Sequence, residues 1–415
     1  TDASFSFDFG YDKALKKFGF QKLQGKAGVA DSSIDYLTGM PRITNIYGTA
    51  EFSNDKIVMR LDKGVSDDVI LNNGYVELYD LNKYDNFAKI SLSAVGSVSD
   101  VLKLIDHDPL NYTSDMGLSP DQIKGTAETT LDLAFELKKN LAPDEVEVKV
   151  QSVISDVTIP NAIAGKAVEA KKLDLEVTNE GLLVTGVTSF EGIPISLLWN
   201  ENFADKNYQS RYQLNFNFDS NLKSKMGIDF KALNAPYITG SLPTEAVVTV
   251  YDKDKMVIDV KGDLRTAEID YSFLGFKKNA GTSGTISARL DIKNNLIASI
   301  PQFSLSKPGF NLNGKVSFDS QGAVKTVDIS KISGPKTSAR AVLDFSDTKS
   351  DKIKITVSGE SYNLSDLFAK DETKNLQAKQ KRRLRMQNAR YVDTSEEDEL
   401  EKVSNTDINI AVNSL

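Results

Sequence analysis

Apolar and polar residues alternate over short runs along the whole chain, and a turn signal closes each run. In residues 126–137 the alternation puts Leu131, Leu133 and Phe135 on one side of a strand and Asp132 and Glu136 on the other. Leu173, Leu175 and Val177 repeat the pattern, as do Tyr212, Leu214, Phe216 and Phe218, and then Ile286, Leu290 and Ile292. Asn54-Asp55, Asn72-Asn73-Gly74, Asn179-Glu180-Gly181, Asp252-Lys253-Asp254, Asn294-Asn295 and Ser320-Gln321-Gly322 predict hairpin turns between antiparallel strands. About twenty strands follow from this rule. Several are predicted to open on glycine, at Gly48, Gly125, Gly284 and Gly314. Their spacing is irregular, so the repeat is one of strands and not of a fixed solenoid period.

Helical interruptions are few. Residues 97–105 carry capping residues and helical apolar spacing, and Pro109 follows as a stop. Short helices are also predicted in 221–233 and 361–370. The fold class is therefore all-β, a long antiparallel sheet with a few short helices. Nothing obvious covers the apolar face, which points to a surface kept for more than packing. The thirteen apolar residues named above are predicted to line it; parity within each strand is secure, and the inward face follows from burial.

Composition narrows the classes. The chain has 415 residues, 40% hydrophobic and 26% charged, enough for two or three ordinary domains. No run of about 18 apolar residues offers a membrane-spanning helix, and no secretory leader pattern is present. Thr1 stands where an initiator Met would be, and 403–415 begins another alternation at Ile408, Ile410 and Val412. The chain is read as a fragment of something longer. A formal charge of −8 argues against nucleic acid as a partner. With no cysteine and a single histidine, His107, thiolate and histidine-rich metal sites are excluded.

Catalytic patterns are absent: no nucleophile elbow, P-loop or zinc-protease helix occurs. No enzyme and no cofactor is expected. His107 follows a predicted helix, where it serves as a dipole partner. Asp252, Asp254 and Asp259 would attract calcium only weakly, lacking the glycine and terminal glutamate of an EF-hand loop. Trp199 is either a packed strand residue or one facing a lipid chain. Residues 371–402 stand apart: a basic block (Lys379, Lys381, Arg382, Arg383, Arg385, Arg390) precedes an acidic one. That tract is expected to be a solvated, mobile insertion, or else a basic patch touching anionic head groups.

The order of several segments resembles the AsmA-like envelope proteins, in particular the YhdP-type branch. They are Pro41-Arg42-Ile43-Thr44-Asn45-Ile46-Tyr47-Gly48, the helix of 98–105 with Pro109-Leu110 and Gly125-Thr126-Ala127, and Gly192-Ile193-Pro194 with Trp199 and Phe203. Ile238-Thr239-Gly240-Ser241-Leu242-Pro243, Leu264-Arg265-Thr266-Ala267 and Leu364-Ser365-Asp366-Leu367-Phe368 complete the series. The resemblance covers about residues 1–370, which it marks as a repetitive β-groove region. It implies a sheet curled into a U, a β-taco, whose apolar groove carries phospholipid acyl chains between inner and outer membrane. It also implies a periplasmic location and attachment to the inner membrane through a missing N-terminal helix. From the residues alone a second class stays open, a structural or adhesive β-solenoid or sandwich with an ordinary closed core. Irregular strand lengths and missing aromatic girdles argue against an outer-membrane barrel.

Overall fold

Runs of period two become strands along both halves of the chain. The computed structural model describes residues 2–12, 16–108, 110–115, 119–163, 165–203, 207–228, 233–294, 296–346, 353–362 and 406–414. They fall into two units, 1–214 and 215–415.

The first unit is a meander of β1 (Ala3–Asp12), β2 (Lys17–Ile34), β3 (Ile43–Ser53), β4 (Lys56–Ser66), β5 (Val69–Tyr79), β6 (Phe87–Ser97), β7 (Lys124–Glu136), β8 (Glu147–Ile163), β9 (Lys166–Thr178), β10 (Gly181–Phe190) and β11 (Ile193–Asn202). Each pairs antiparallel with the next. The sheet is not closed into a barrel. β12 (Ser210–Phe218) follows. The helix Val98–Leu104 is inserted between β6 and β7, and Ser97 caps it by accepting the Asp100 N–H at 3.1 Å.

The second unit repeats the plan with β14 (Leu242–Asp252), β15 (Lys255–Asp263), β18 (Thr285–Lys293), β19 (Leu296–Lys307), β20 (Phe310–Phe318), β21 (Val324–Gly334), β22 (Thr337–Asp344) and β23 (Ile353–Ser361), all antiparallel. β24 (Thr406–Ser414) adds in parallel to β23. A separate small sheet holds β13 (Ile238–Gly240), β16 (Ala267–Tyr271) and β17 (Phe276–Lys278). The helix predicted in 221–233 is shorter, Ser220–Lys225, and the one predicted in 361–370 lies outside the described residues beyond Tyr362. The charged tract of 371–402 lies outside them as well.

Three expected boundaries move. Asn72-Asn73-Gly74 is no hairpin turn: it sits inside β5, where the register shifts between Asn72 and Tyr75 and Asn73 has φ 50°. Asp31 in β2 (φ 48°) and Asn45 in β3 (φ 52°) mark like shifts in the neighbouring strands. Such bulges bend a strand and increase its twist, and Asn or Asp tolerates the left-handed backbone they use. Gly48 and Gly314 do not open strands but lie within β3 and β20. A Cβ on Gly314 would stand 2.7 Å from the Phe303 ring and 2.6 Å from the Asp328 carbonyl oxygen, so the position admits only a bare backbone.

Candidate functional site

Strand pairing turns the period-two pattern into rows that cross the sheet. Leu131 stands opposite Leu92 and Val150, and the row continues through Val177 to Leu182. Leu133 stands opposite Ile90 and Val148, and beyond Ile90 lie Val76, Met59, Ala50 and Ala27. Phe135 leads through Ala88, Leu78 and Ile57 to Phe52. Between these rows, Ser91, Asp132, Lys149 and Thr178 face the other way. One face of the first unit is thus mostly apolar from β1 to β10, with the Thr129–Ser152 hydroxyl pair (2.8 Å) set into it, and the other is mostly polar. Leu131, Leu133, Phe135, Leu173, Leu175 and Val177 all lie on the apolar face.

Their burial is uneven. Leu173 is buried, whereas Leu131, Leu133, Phe135, Leu175 and Val177 keep part of their surface open. At the β1 edge the same face is still more open. Phe5, Phe7, Phe9 and Tyr11 alternate along β1, and each leaves half or more of its surface exposed, up to 65% at Phe9. The Phe5 ring lies over Gly25, where any Cβ would collide with it, and 5.7 Å from the Phe52 ring. Sequence reasoning passed over this stripe, although its alternation is as plain as that of Leu131 to Phe135.

One end of the apolar face is covered. The helix Val98–Leu104 packs against β5, β6 and β7. Val98 and Ile123 form a buried cluster with Ala127, Val157, Ala170, Leu173, Leu182 and Val184. The covering segment is tied to itself: the Thr113 hydroxyl donates to the Leu102 carbonyl at 2.8 Å, and Lys103 pairs with Asp121 at 2.6 Å. Trp199 packs against this cluster, stacks on Tyr212 with centroids 5.7 Å apart, and donates its indole N–H to Glu201 at 2.9 Å. Trp199 is thus a packed strand residue at the border of the apolar face. Burial pushes the Tyr212 hydroxyl above the usual phenol range. Leu214 is half-buried like Tyr212.

In the second unit, Ile286 stands opposite Gly262 and Leu305, Leu290 opposite Ile258, and Ile292 opposite Met256 and Ile297. Phe218 and Ile286 pack against a large buried cluster, Phe216 is half-buried, and Ile292 is buried. The small sheet brings Ile269 and Phe276, and the turn before β16 brings Leu264, each at most 1% exposed, against Leu305, Leu312, Ile332 and Ala341. Phe276 meets Phe310 edge to face at 5.1 Å. Lys278 is buried beside them; its ammonium donates to the Ala267 and Asn279 carbonyls at 2.9 and 3.0 Å, and burial lowers its pKa. This sheet gave no strong sequence signal, because β13 and β17 are only three residues long.

A hollow of about 580 Å³ in the first unit is lined by Ser93, Glu128, Thr130, Gln151, Asp174 and Glu176 of the polar rows, and Ala94, Thr129, Ser152 and Leu175 of the neighbouring rows border it as well. Asp252 accepts the Asp254 N–H at 2.8 Å within its turn, and Asp259 faces Arg289 at 3.5 Å. Among the described residues no group of three or more acidic, histidine or cysteine side chains is placed to hold a metal ion. The His107 imidazole lies 3.3 Å from the Asp67 carboxylate, a partner forty residues away in sequence. Among the described residues no helix is long and apolar enough to cross a membrane.

The family model described as YhdP protein matches residues 1–413. No curated protein and no solved structure matches the chain.

Proposed function

The chain belongs to the YhdP family, a cell-envelope family associated with lipid transport and not known for catalysis, and from that premise we propose that its apolar sheet face carries phospholipid acyl chains. The carrying observation is the set of rows through Leu131, Leu133 and Phe135, apolar across many strands yet left half-open. A closed core would have filled that side with side chains from a facing layer. Strands lie about 4.8 Å apart, so an acyl chain moving from strand to strand meets nearly equivalent apolar sites. Burial of each CH₂ is worth about 0.8 kcal/mol, and moving sideways changes little of that total. Head groups stay in water beyond the strand ends. In this role the protein bridges inner and outer membrane across the periplasm, held to the inner membrane by a part of the protein outside this sequence, and the face bends into a groove. Leu214, at the end of the first unit, belongs to the same lining.

The test is native mass spectrometry with lipid extraction on detergent-free protein purified from a membrane-bearing host. Several phospholipids per chain support the proposal, and a clean apo mass with a cooperative melt defeats it. Leu133→Asp places a charge on the open face. It should abolish lipid recovery, and a cooperative melt of the variant separates that loss from unfolding, because a charge beside Ile90 and Val148 also carries a desolvation cost.

A further inference from the structure

We infer that the helix Val98–Leu104 limits the length of acyl chain accepted by the first unit, a step that rests on the lipid proposal above. The apolar strip along β7 has two unlike ends. At one end Ala127 is 4% exposed within the cluster that contains Val98, Ile123 and Leu173, and Val101 packs close over Gly96. From there the strip passes Thr129, whose hydroxyl is hydrogen-bonded to that of Ser152 at 2.8 Å, and then runs through Leu131 and Leu133 to Phe135. The stretch from Leu131 to Phe135 measures about 14 Å, and that from Thr129 to Phe135 about 20 Å. The hydrocarbon of one bilayer leaflet is about 15 Å deep.

The other end is wet and carries both signs of charge. Lys138 pairs with Glu145 at 2.6 Å and Glu136 at 3.8 Å, Lys83 with Asp80 at 2.9 Å, and Lys56 with Glu77 at 3.5 Å. A strip closed and apolar at one end, open and charged at the other, orients an amphiphile. The tail points to the helix and the head group to the turns. A tail longer than the strip meets the helix and must leave methylenes in water.

The helix is held by its Ser97 cap, the Thr113–Leu102 hydrogen bond and the Lys103–Asp121 pair, so it acts as a fixed stop. Ala94 occupies the first row beyond it, opposite Thr129. Bulk at Ala94 shortens the strip, and trimming Val101 lengthens it.

The full chain would be incubated with vesicles of mixed dilauroyl-, dimyristoyl-, dipalmitoyl- and distearoyl-phosphatidylethanolamine, and the bound species quantified after re-isolation. Wild type should favour the palmitoyl species. Ala94→Trp should raise the lauroyl-to-stearoyl ratio about tenfold, the worth of about two methylenes' burial, and Val101→Ala should move it the other way. Bound lipid with an unchanged chain-length distribution in either folded variant overturns the stop while leaving the lipid proposal intact. No bound lipid in any form overturns both. Should Ala94→Trp fail to fold, Val101→Ala decides alone, because it only removes methyl groups from a half-buried side chain.

Discussion

The two units use one strand pattern to opposite ends. In the first, a two-turn helix covers a patch of eight buried residues, mostly small or β-branched, and the rows beyond it stay half-open. In the second, a three-stranded sheet presses on the meander and sixteen residues are buried together, among them Phe276, Phe310 and Tyr362. Alternation makes an apolar face in both. What is inserted between the strands decides whether that face becomes a core or a surface. An insert with Leu264, Ile269 and Phe276 supplies enough side-chain volume to close it, whereas one with Val98, Val101 and Leu102 does not.

The sharpest way to break this contrast is Phe276→Ala. Phe276 has no exposed surface, so its truncation should cost about 3–5 kcal/mol. Denaturant titration should show the loss in the second unit, with hydrogen exchange in β3 to β9 unchanged. A loss spread over both units would mean that the closed core is not local.

Alkaline pH offers a smaller lever. Burial pushes the Tyr362 pKa from 10.0 to about 12. The folded state thus holds this proton more tightly than the unfolded chain. Its contribution is complete below pH 10 and is lost as pH rises towards 12. Titration should cost the second unit about 2 kcal/mol over that window. Tyr362→Phe, followed by thermal melts between those limits, should remove this part of the pH dependence, and an unchanged slope would refute its origin in Tyr362.

The smallest effect tests the first unit's cover. Ser97→Ala deletes the cap on the covering helix and should cost about 1 kcal/mol. Faster exchange confined to residues 98–105, with the β7 amides still protected, would show that the helix lies on a face able to stand without it. Collapse of protection across β6 to β9 would make it an integral core element.

Much of this architecture is legible in the residues. Strands at 126–137, 173–178, 212–218 and 286–292 follow from alternation alone, and the helix after Ser97 from its cap and Pro109. The apolar residues within each run share a face because period two leaves no other choice. The bulges are not legible in the same way. Asn72-Asn73-Gly74 has the composition of a hairpin turn, because a turn and a bulge both need left-handed backbone. Only the pairing of β5 with unbroken neighbours on both sides separates the two. Coverage is the least legible of all. β16 reads as a short alternation like any other, and no local signal says that it leaves the large sheet to lie with β13 and β17 against the core.

The most direct test places a photo-crosslinking amino acid at Leu133 or Leu175 on the apolar face and at Asp132 or Glu176 on the polar face. The irradiated protein would then be analysed for phospholipid adducts in membrane-bearing cells. Adducts at Leu133 and Leu175, with none at Asp132 and Glu176, are the predicted result. Equal labelling of both faces, or none on either, would contradict the assignment of the apolar face to acyl chains.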